Sequence, residues 1–305
     1  MIYDLIIIGA GPAGITAAVY AARKNLNFII VTGDIGGQTA WSGDIENYTG
    51  YQFITGPELT AKFEEHMRQY NVQVKENEQV IDIERINNNF LVKTNKEEYS
   101  AKTVIVASGK RSKELNILGE KEFKNHGLTY CATCDAPLFK GKRVAVIGGG
   151  NSALDAVLQL IKIAKYIHLI NIEKDITGDA IMYEKIRESK IVTVLNNTKV
   201  IEIIGDKMVN AIKVETQLID SSQEQILDVE GVFVEIGLIP NSGFAGILEK
   251  NQYNEIKVNC HNETNIPGIF SAGDVTDVPE KQIIIAAGEG SKAALGAFRY
   301  LSTHK

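Results

Sequence analysis

Two hydrophobic patterns alternate along the chain, and they do so twice. Leu5 to Ile8 is an unbroken apolar run, as expected of a strand covered on both faces. Small residues follow at Gly9, Ala10, Gly11, Pro12, Ala13 and Gly14, and a helix is predicted through Ala22. A second strand is predicted at Asn27 to Val31 and an amphipathic helix over Pro57 to Tyr70. From Val72 to Ala107 short alternating segments, broken by Asn87, Asn88 and Asn89, predict a small β-layer whose last strand, Thr103 to Ala107, stops at Ser108 and Gly109. The order then recurs. Arg143 to Ile147 reads as a strand, Gly148, Gly149, Gly150, Asn151, Ser152 and Ala153 as a second glycine turn, and a helix runs to about Lys165. A strand at Tyr166 to Ile170, a helix over 179–189 and a β-layer from Ile191 to Ile236 complete the copy, closing in Val232 to Ile236 and Gly237. The first copy lacks a closing strand of its own. One is predicted at Gly268 to Ser271, just before Ala272, Gly273 and Asp274, so the first domain is split and resumes after the second.

Composition changes this picture little. At 305 residues, 44% hydrophobic and 23% charged, the chain is ordinary for a globular protein of about two domains. A net charge of −6 gives no reason to expect nucleic acid. Residues 5–22 are apolar, but Gly9, Gly11, Pro12 and Gly14 interrupt them and Asp4 stands where a signal peptide is basic, so no membrane segment is expected. Three cysteines, two of them in one CxxC, suit a reducing compartment, and the expected location is the cytoplasm.

The first glycine turn has the spacing that binds a pyrophosphate. Gly9 permits the tight turn, Gly11 lets the backbone approach the ligand, and Gly14 lets the helix pack on its strand. The acidic residue that often closes the second strand is absent, since Thr32, Gly33 and Asp34 stand there. Gly36, Gly37, Gln38, Thr39 and Asn47 are suited to run close to a flat ligand, which Trp41 and Tyr48 would either shield or serve as packing anchors.

The stretch with the most chemistry is Cys131, Ala132, Thr133, Cys134, Asp135, Ala136, Pro137. Two cysteines spaced by two residues close a small disulfide ring and cycle between dithiol and disulfide. At the start of a helical segment such a pair has its thiolates stabilised by unpaired N–H groups. Asp135 would protonate a departing thiolate. Half a zinc site and a static disulfide are the alternatives, but only Cys260 and His126 are at hand to complete four ligands. His126 would otherwise tune a thiolate or be an ordinary loop histidine. His66, His168, His261 and His304 show no metal spacing, and no metal is expected.

Over nearly its whole length the chain resembles the low-molecular-weight thioredoxin reductases, homodimeric FAD enzymes with a rotating pyridine-nucleotide domain. The resemblance rests on GAGPAG (9–14), GGQ (36–38), CATCD (131–135), GGGNSA (148–153) and AGDV (272–275). It implies an α/β fold of two Rossmann-like nucleotide-binding domains, of the three-layer ββα flavoprotein disulfide reductase type. Residues 1–110 and 241–305 would form a discontinuous FAD domain, and 111–240 a pyridine-nucleotide-like domain carrying the CxxC. The implied FAD contacts are Gly9, Gly11, Pro12, Ala13, Gly14, Gly37, Gln38, Thr39, Asn47, Val80, Gly109, Gly273, Asp274, Lys281, Gln282 and Ile283. Gln282 and Ile283 would sit by the isoalloxazine ring. Lys281 stands where the family usually has arginine, so charge is kept but bidentate geometry is lost. The implied catalytic residues are Cys131, Cys134 and Asp135, with Cys134 next to the flavin. The dithiol would then turn outward, on hinges near Arg111 to Asn116 and Gly237 to Ser242, to reduce the disulfide of a thioredoxin or thioredoxin-like protein. No second thiol pair follows at the C-terminus and no thioredoxin-like extension precedes Met1, so a thioredoxin supplied in trans is expected rather than a peroxiredoxin-reductase flavoprotein.

One departure bears on the electron donor. NADPH-using members of that family grip the 2′-phosphate with a His-Arg-Arg run and one further arginine after the second strand of the second domain. Here stand Asn171, Ile172, Glu173, Lys174, Asp175, Ile176 and Thr177, with the arginines gone and a carboxylate among the replacements. Attraction is lost and repulsion added, worth about 4 kcal/mol for a close pair at intermediate dielectric. The expected donor is reduced ferredoxin, as in the ferredoxin-dependent flavin thioredoxin reductases, docking on Lys110, Arg111 and Lys113. NADH, with Glu173 on its ribose, and NADPH by another grip remain open, as does a flavin-containing oxidase or redox sensor.

Overall fold

The computed structural model describes every residue except Gly43, Glu46, Cys131, Asp220 and Lys305, and describes Asp44, Thr133 and Cys134 by backbone alone. It divides into two units, Met1–Arg111 with Ile239–Lys305, and Ser112–Leu238.

In the first unit β1 (Ile2–Ala10) feeds α1 (Pro12–Arg23), and β2 (Phe28–Ile35) lies parallel beside β1. A 3₁₀ turn (Gly37–Trp41) and the short pair β3 (Asp44–Ile45) and β4 (Ile54–Thr55) lead to α2 (Gly56–Arg68). Thr55 and Glu58 start α2 with a reciprocal capping box, each side chain accepting the other's backbone N–H. Then come β5 (Gln73–Lys75), β6 (Val80–Ile86), β7 (Asn89–Thr94) and β8 (Glu98–Val106). The sequence pattern separates a small β-layer from the main sheet, but β8 belongs to both. Its first half, Glu98 to Ala101, pairs antiparallel with β7, while Val104 to Val106 lie inside the parallel sheet.

The chain crosses into the second unit at β9 (Lys110–Ser112). There follow α3 (Glu120–Phe123), β10 (Leu128–Thr129), the single-turn α4 (Ala132–Asp135), β11 (Arg143–Ile147), α5 (Asn151–Leu160) and β12 (Tyr166–Ile170). The unit is completed by α6 (Ala180–Arg187), β13 (Val192–Leu195), the antiparallel β14 (Thr198–Gly205), β15 (Val209–Gln217) and β16 (Ser222–Asp228), and by β17 (Gly231–Val234). Its parallel sheet runs β10-β17-β11-β12-β13. Helix α5 ends at Leu160, short of Lys165, and β17 ends at Val234, short of Ile236. The chain returns at β18 (Leu238–Pro240), and β19 (Ile269–Ser271) docks parallel on β8 as the closing strand of the first unit, before α7 (Ile283–Thr303).

The unbroken apolar runs follow from coverage on both faces. Leu5 and Ile7 pack into one core with α1 and α7, whereas Ile6 and Ile8 pack into the core on the opposite face with Val104 and Ile269. Val144 and Val146 likewise face α5, while Ala145 and Ile147 face the β14–β15 layer. Strand side chains alternate, so four consecutive apolar residues fill two cores at about 1.5–3 kcal/mol per buried branched side chain.

Candidate functional site

In the first unit β1 ends in a turn that only glycine fits. Gly9 has φ +100°, and a Cβ there would lie 2.4 Å from the Ala107 carbonyl oxygen. Helix α1 starts from Gly11 with Pro12 in its first turn and no side-chain cap, which leaves its first-turn amides free for an anion. Gly36 and Gly37, both left-handed, bring the loop after β2 alongside, and the Gly36 N–H donates to the Ala10 carbonyl at 2.7 Å. Thr39 is buried, and Gln38 Nε2 donates to the Lys110 carbonyl at 3.3 Å.

A second helix, α7, also starts uncapped, at Gln282, and its later turns pack on the first. Gly290 of α7 packs where a Cβ would fall 2.0 Å from the Ala13 carbonyl, and Gly273 lies against Ala13 and Ala286. The Gly273 N–H donates to buried Glu289 Oε2 at 2.7 Å, which fixes the turn carrying Asp274. Burial raises both carboxyl groups above the usual range, only partly offset at Asp274 by Lys281 and Lys110 and at Glu289 by the Gly273 N–H. Asn47 Nδ2 donates to Gln282 Oε1 at 3.0 Å, so two predicted ligand residues far apart in sequence touch. Val80 opens β6, and Gly109 is left-handed with open space beside it. Of the aromatic candidates, Tyr48 sets its ring edge-on to Phe63 at 5.7 Å, a packing role, while Trp41 is largely exposed.

Of the basic group expected to dock ferredoxin, Arg111 and Lys113 are exposed, while Lys110 is engaged within its own unit. Lys110 Nζ lies 2.7 Å from Glu255 Oε1, and its side chain is only 12% exposed. Lys281 shares Glu255 at 3.2 Å, and Arg111 Nη1 donates to Asn241 Oδ1 at 3.0 Å. Burial raises the Glu255 pKa, but hydrogen bonds from Lys110, Asn251 and Lys281 outweigh it and hold the carboxylate below its usual range.

The second glycine turn, in the second unit, is built like the first. Gly148 has φ +141°, and a Cβ there would lie 2.2 Å from the Glu235 carbonyl oxygen. Gly150 leads α5 with no side-chain cap. The loop after β12 closes on this turn, with the Thr177 and Gly178 N–H groups both donating to the Gly149 carbonyl at 2.9 Å. Buried Asn171 holds that loop. Its Nδ2 donates to the carbonyls of Glu173 and Asp175 and to Asn196 Oδ1, each at 3.0 Å, and its Oδ1 accepts the Glu173 N–H at 3.2 Å. Glu173 and Lys174 are exposed.

The predicted redox pair lies outside the described residues, Cys131 entirely and Cys134 in its side chain. Their frame is described. Glu120, buried, accepts the N–H groups of Leu115 and Asn116, both at 2.6 Å, and the Tyr130 hydroxyl at 2.8 Å. Burial and the Glu120 carboxylate hold the Tyr130 hydroxyl protonated. Thr129 Oγ1 donates to Asp135 Oδ2. Beyond α4, Phe139 stacks edge-on against Phe233 at 4.9 Å, filling the space that Gly231 leaves. Helix α4 is one turn long, so its dipole gives the cysteines less than a full helix would. Sequence reasoning missed the carboxyl at this site. Glu235, the residue after β17, accepts the Ala132 N–H at Oε1, 3.2 Å away. Burial pushes its pKa from 4.5 to about 7, the Ala132 N–H pulling it down and Asp155 adding to the rise. The signal was present in the repeat, because Glu235 occupies in the second copy the place of Ala107 in the first.

Comparison with known proteins fixes what kind of protein this is. The family described as "Pyridine nucleotide-disulphide oxidoreductase" matches residues 3–290. The chain belongs to that family. Proteins of the family bind FAD. Among curated relatives, the "NADH dehydrogenase" of Bacillus subtilis is 39% identical over 300 residues, covering 98% of this chain and 58% of that protein. A component of the alkyl hydroperoxide reductase of Pseudomonas putida is 40% identical over 304 residues, with the same 98% and 58% coverage. The chain therefore spans less than two thirds of these relatives. A Lactococcus lactis thioredoxin reductase structure superposes with TM-score 0.83 at 32% identity, covering 99% of each chain. The fold thus matches that of the thioredoxin reductases.

FAD fits the first unit. Two uncapped helix starts and the Gly36–Gly37 backbone would supply amide donors for its diphosphate, and the Asp274 carboxyl an acceptor for its hydroxyls. Among the described residues no three His, Cys, Asp or Glu side chains are placed to hold a metal, and no helix is long and apolar enough to cross a membrane.

Proposed function

We propose that this protein passes electrons from NADH through FAD to the Cys131–Cys134 disulfide and on to the disulfide of a thioredoxin or thioredoxin-like domain, working as a homodimer. The observation that carries the donor is the second glycine turn, whose geometry repeats that of the flavin-binding turn down to the uncapped helix start. A turn kept only for packing would have no need to leave its helix uncapped. The loop that would grip a 2′-phosphate carries Glu173 and Lys174 in place of arginines, which favours the hydroxyl of NADH. The name of the Bacillus subtilis relative, 39% identical, points the same way. Ferredoxin, the expectation from sequence, loses weight because Lys110 and Arg111 are engaged within their own unit.

FAD, when bound, supplies a two-electron carrier able to accept a hydride and reduce a disulfide. Gly9, Gly11, Pro12, Ala13, Gly14, Gly37, Gln38, Thr39 and Gly273 shape its site by backbone, and Asn47, Asp274, Lys281, Gln282 and Ile283 line it by side chain; Val80 and Gly109 border it. Asp135, oriented by the Thr129 hydroxyl, is the acid that passes a proton to the partner's departing thiolate. One reduced cysteine attacks the partner's disulfide and the other resolves the mixed disulfide.

Anaerobic addition of NADH, NADPH or reduced ferredoxin tests the donor. NADH is expected to bleach the flavin at least tenfold faster than NADPH. Bleaching by ferredoxin alone would restore the sequence expectation, and fast bleaching by NADPH would contradict both.

A further inference from the structure

The two glycine turns are superposable in plan, and the position that closes each of them differs in one respect. After β8 the residue whose carbonyl faces the turn is Ala107, apolar and buried. After β17 it is Glu235, whose carbonyl faces Gly148 while its N–H donates to the Ile147 carbonyl at 2.8 Å. The backbone thus holds Glu235 at the carboxyl edge of the central strands, where ligands of such sheets bind. Its side chain accepts the N–H of Ala132, which lies between the two cysteines in sequence. Nothing in the glycine turn asks for a carboxyl there, since alanine serves in the first copy.

We propose that Glu235 is the proton-holding and positioning residue of the Cys131–Cys134 pair, exchanging one proton with it as the disulfide opens and closes. This rests on the reading that the pair cycles. With a dithiol reductant such as dithiothreitol, the S–S bond breaks, two electrons enter the pair, and the reductant leaves as its cyclic disulfide. Protonated Glu235 gives its proton to one sulfur, and the other remains a thiolate. When that thiolate attacks a partner disulfide, a mixed disulfide forms and one partner sulfur leaves as thiolate. The remaining thiol then returns its proton to Glu235, closes the cysteine disulfide and expels the second partner sulfur. Asp135 serves the end of α4 and Glu235 its beginning. Among the described residues the charged group that bears on Glu235 is Asp155 on α5, whose carboxylate disfavours ionisation; the Ala132 N–H favours it. The result is a carboxyl that titrates in the physiological range, where a proton can be both taken and returned.

The test follows thiolate reactivity in the FAD-bound protein. Exposed Cys260 is first replaced by serine so that only the pair reacts. Alkylation of the reduced pair by iodoacetamide is measured from pH 5 to 9 in this background and in E235Q and E235D. The background profile is expected to show two inflections, one near pH 7. E235Q should lose that inflection and react about tenfold faster at pH 8, where the ionised Glu235 of the background opposes thiolate formation. E235D, keeping the carboxyl, should keep the inflection. Superimposed profiles of E235Q and its background, with the flavin spectrum intact, would overturn the proposal. Thiol counts before and after oxidation separate the two readings. A pair that closes reversibly but ignores E235Q defeats this inference alone, whereas a pair that never closes defeats the cycling on which it rests.

Discussion

The two glycine turns are built on one plan and carry different chemistry. Around Gly9 everything serves close approach: Gly14 packs so tightly that a Cβ would fall 1.9 Å from the Gly9 carbonyl, and apolar Ala107 closes the turn. Around Gly148 the packing is as close and more polar. Ala153 stands in the place of Gly14, Asn171 ties down the loop after the second strand, and Glu235 closes the turn with a titrating carboxyl. Sheet and helix require the glycine at the head of each turn, and leave the surrounding positions free to select the ligand.

The largest effects should come from breaking each turn separately. Gly9→Ala forces a left-handed alanine against a backbone oxygen, and the protein should purify without flavin colour. Gly148→Ala meets the same obstacle in the other unit, so it should keep its flavin and lose at least 100-fold in the rate of bleaching by NADH. Visible spectra and anaerobic mixing check both. A G148A protein that bleaches normally would mean that the second turn holds no donor.

Smaller substitutions sharpen the contrast. Gly14→Ala should cost about 3 kcal/mol, the upper range for overpacking, seen as a lower thermal midpoint. Ala153→Gly, its mirror, should cost only about 1 kcal/mol through helix propensity.

Glu235 predicts a pH dependence. Its folded pKa, about 7, lies above its ordinary 4.5, so the native state holds the proton longer than the unfolded one. The stability linked to that proton is complete below about pH 4.5 and is lost as pH rises through about 7. Allowing for partial exposure, the loss is about 2 kcal/mol. E235Q should therefore gain thermal midpoint relative to wild type between pH 5 and pH 8, and a constant difference would contradict the assignment. Last in size, Glu173→Arg should shift the NADH-to-NADPH preference about tenfold toward NADPH, because it replaces an exposed, screened charge.

Much of the frame was legible in sequence because both sheets are covered on two faces, so their strands announce themselves as apolar runs between glycines. Arg143–Ile147 and Tyr166–Ile170 begin and end in the structure where the pattern puts them. The closing strand near Ile269 was legible because the repeat demanded it. What escaped were features that depend on contacts across the fold. The division of β8 between two neighbours leaves no mark on its alternation. The pairing of Lys110 with Glu255 joins residues 145 apart, so one lysine of the basic cluster in sequence is neutralised by a distant carboxylate. Glu235 lies inside the predicted strand Val232 to Ile236, where nothing in the pattern marks it for the Ala132 N–H it accepts.

The central claim is that the flavin and the cysteine pair form one electron path. Anaerobic titration with dithionite measures it directly, by counting the electrons each flavin-bound protein absorbs. The account predicts that the wild type takes up twice as many electrons per flavin as Cys134→Ser, the excess residing in the disulfide. Equal uptake by the two proteins would contradict it.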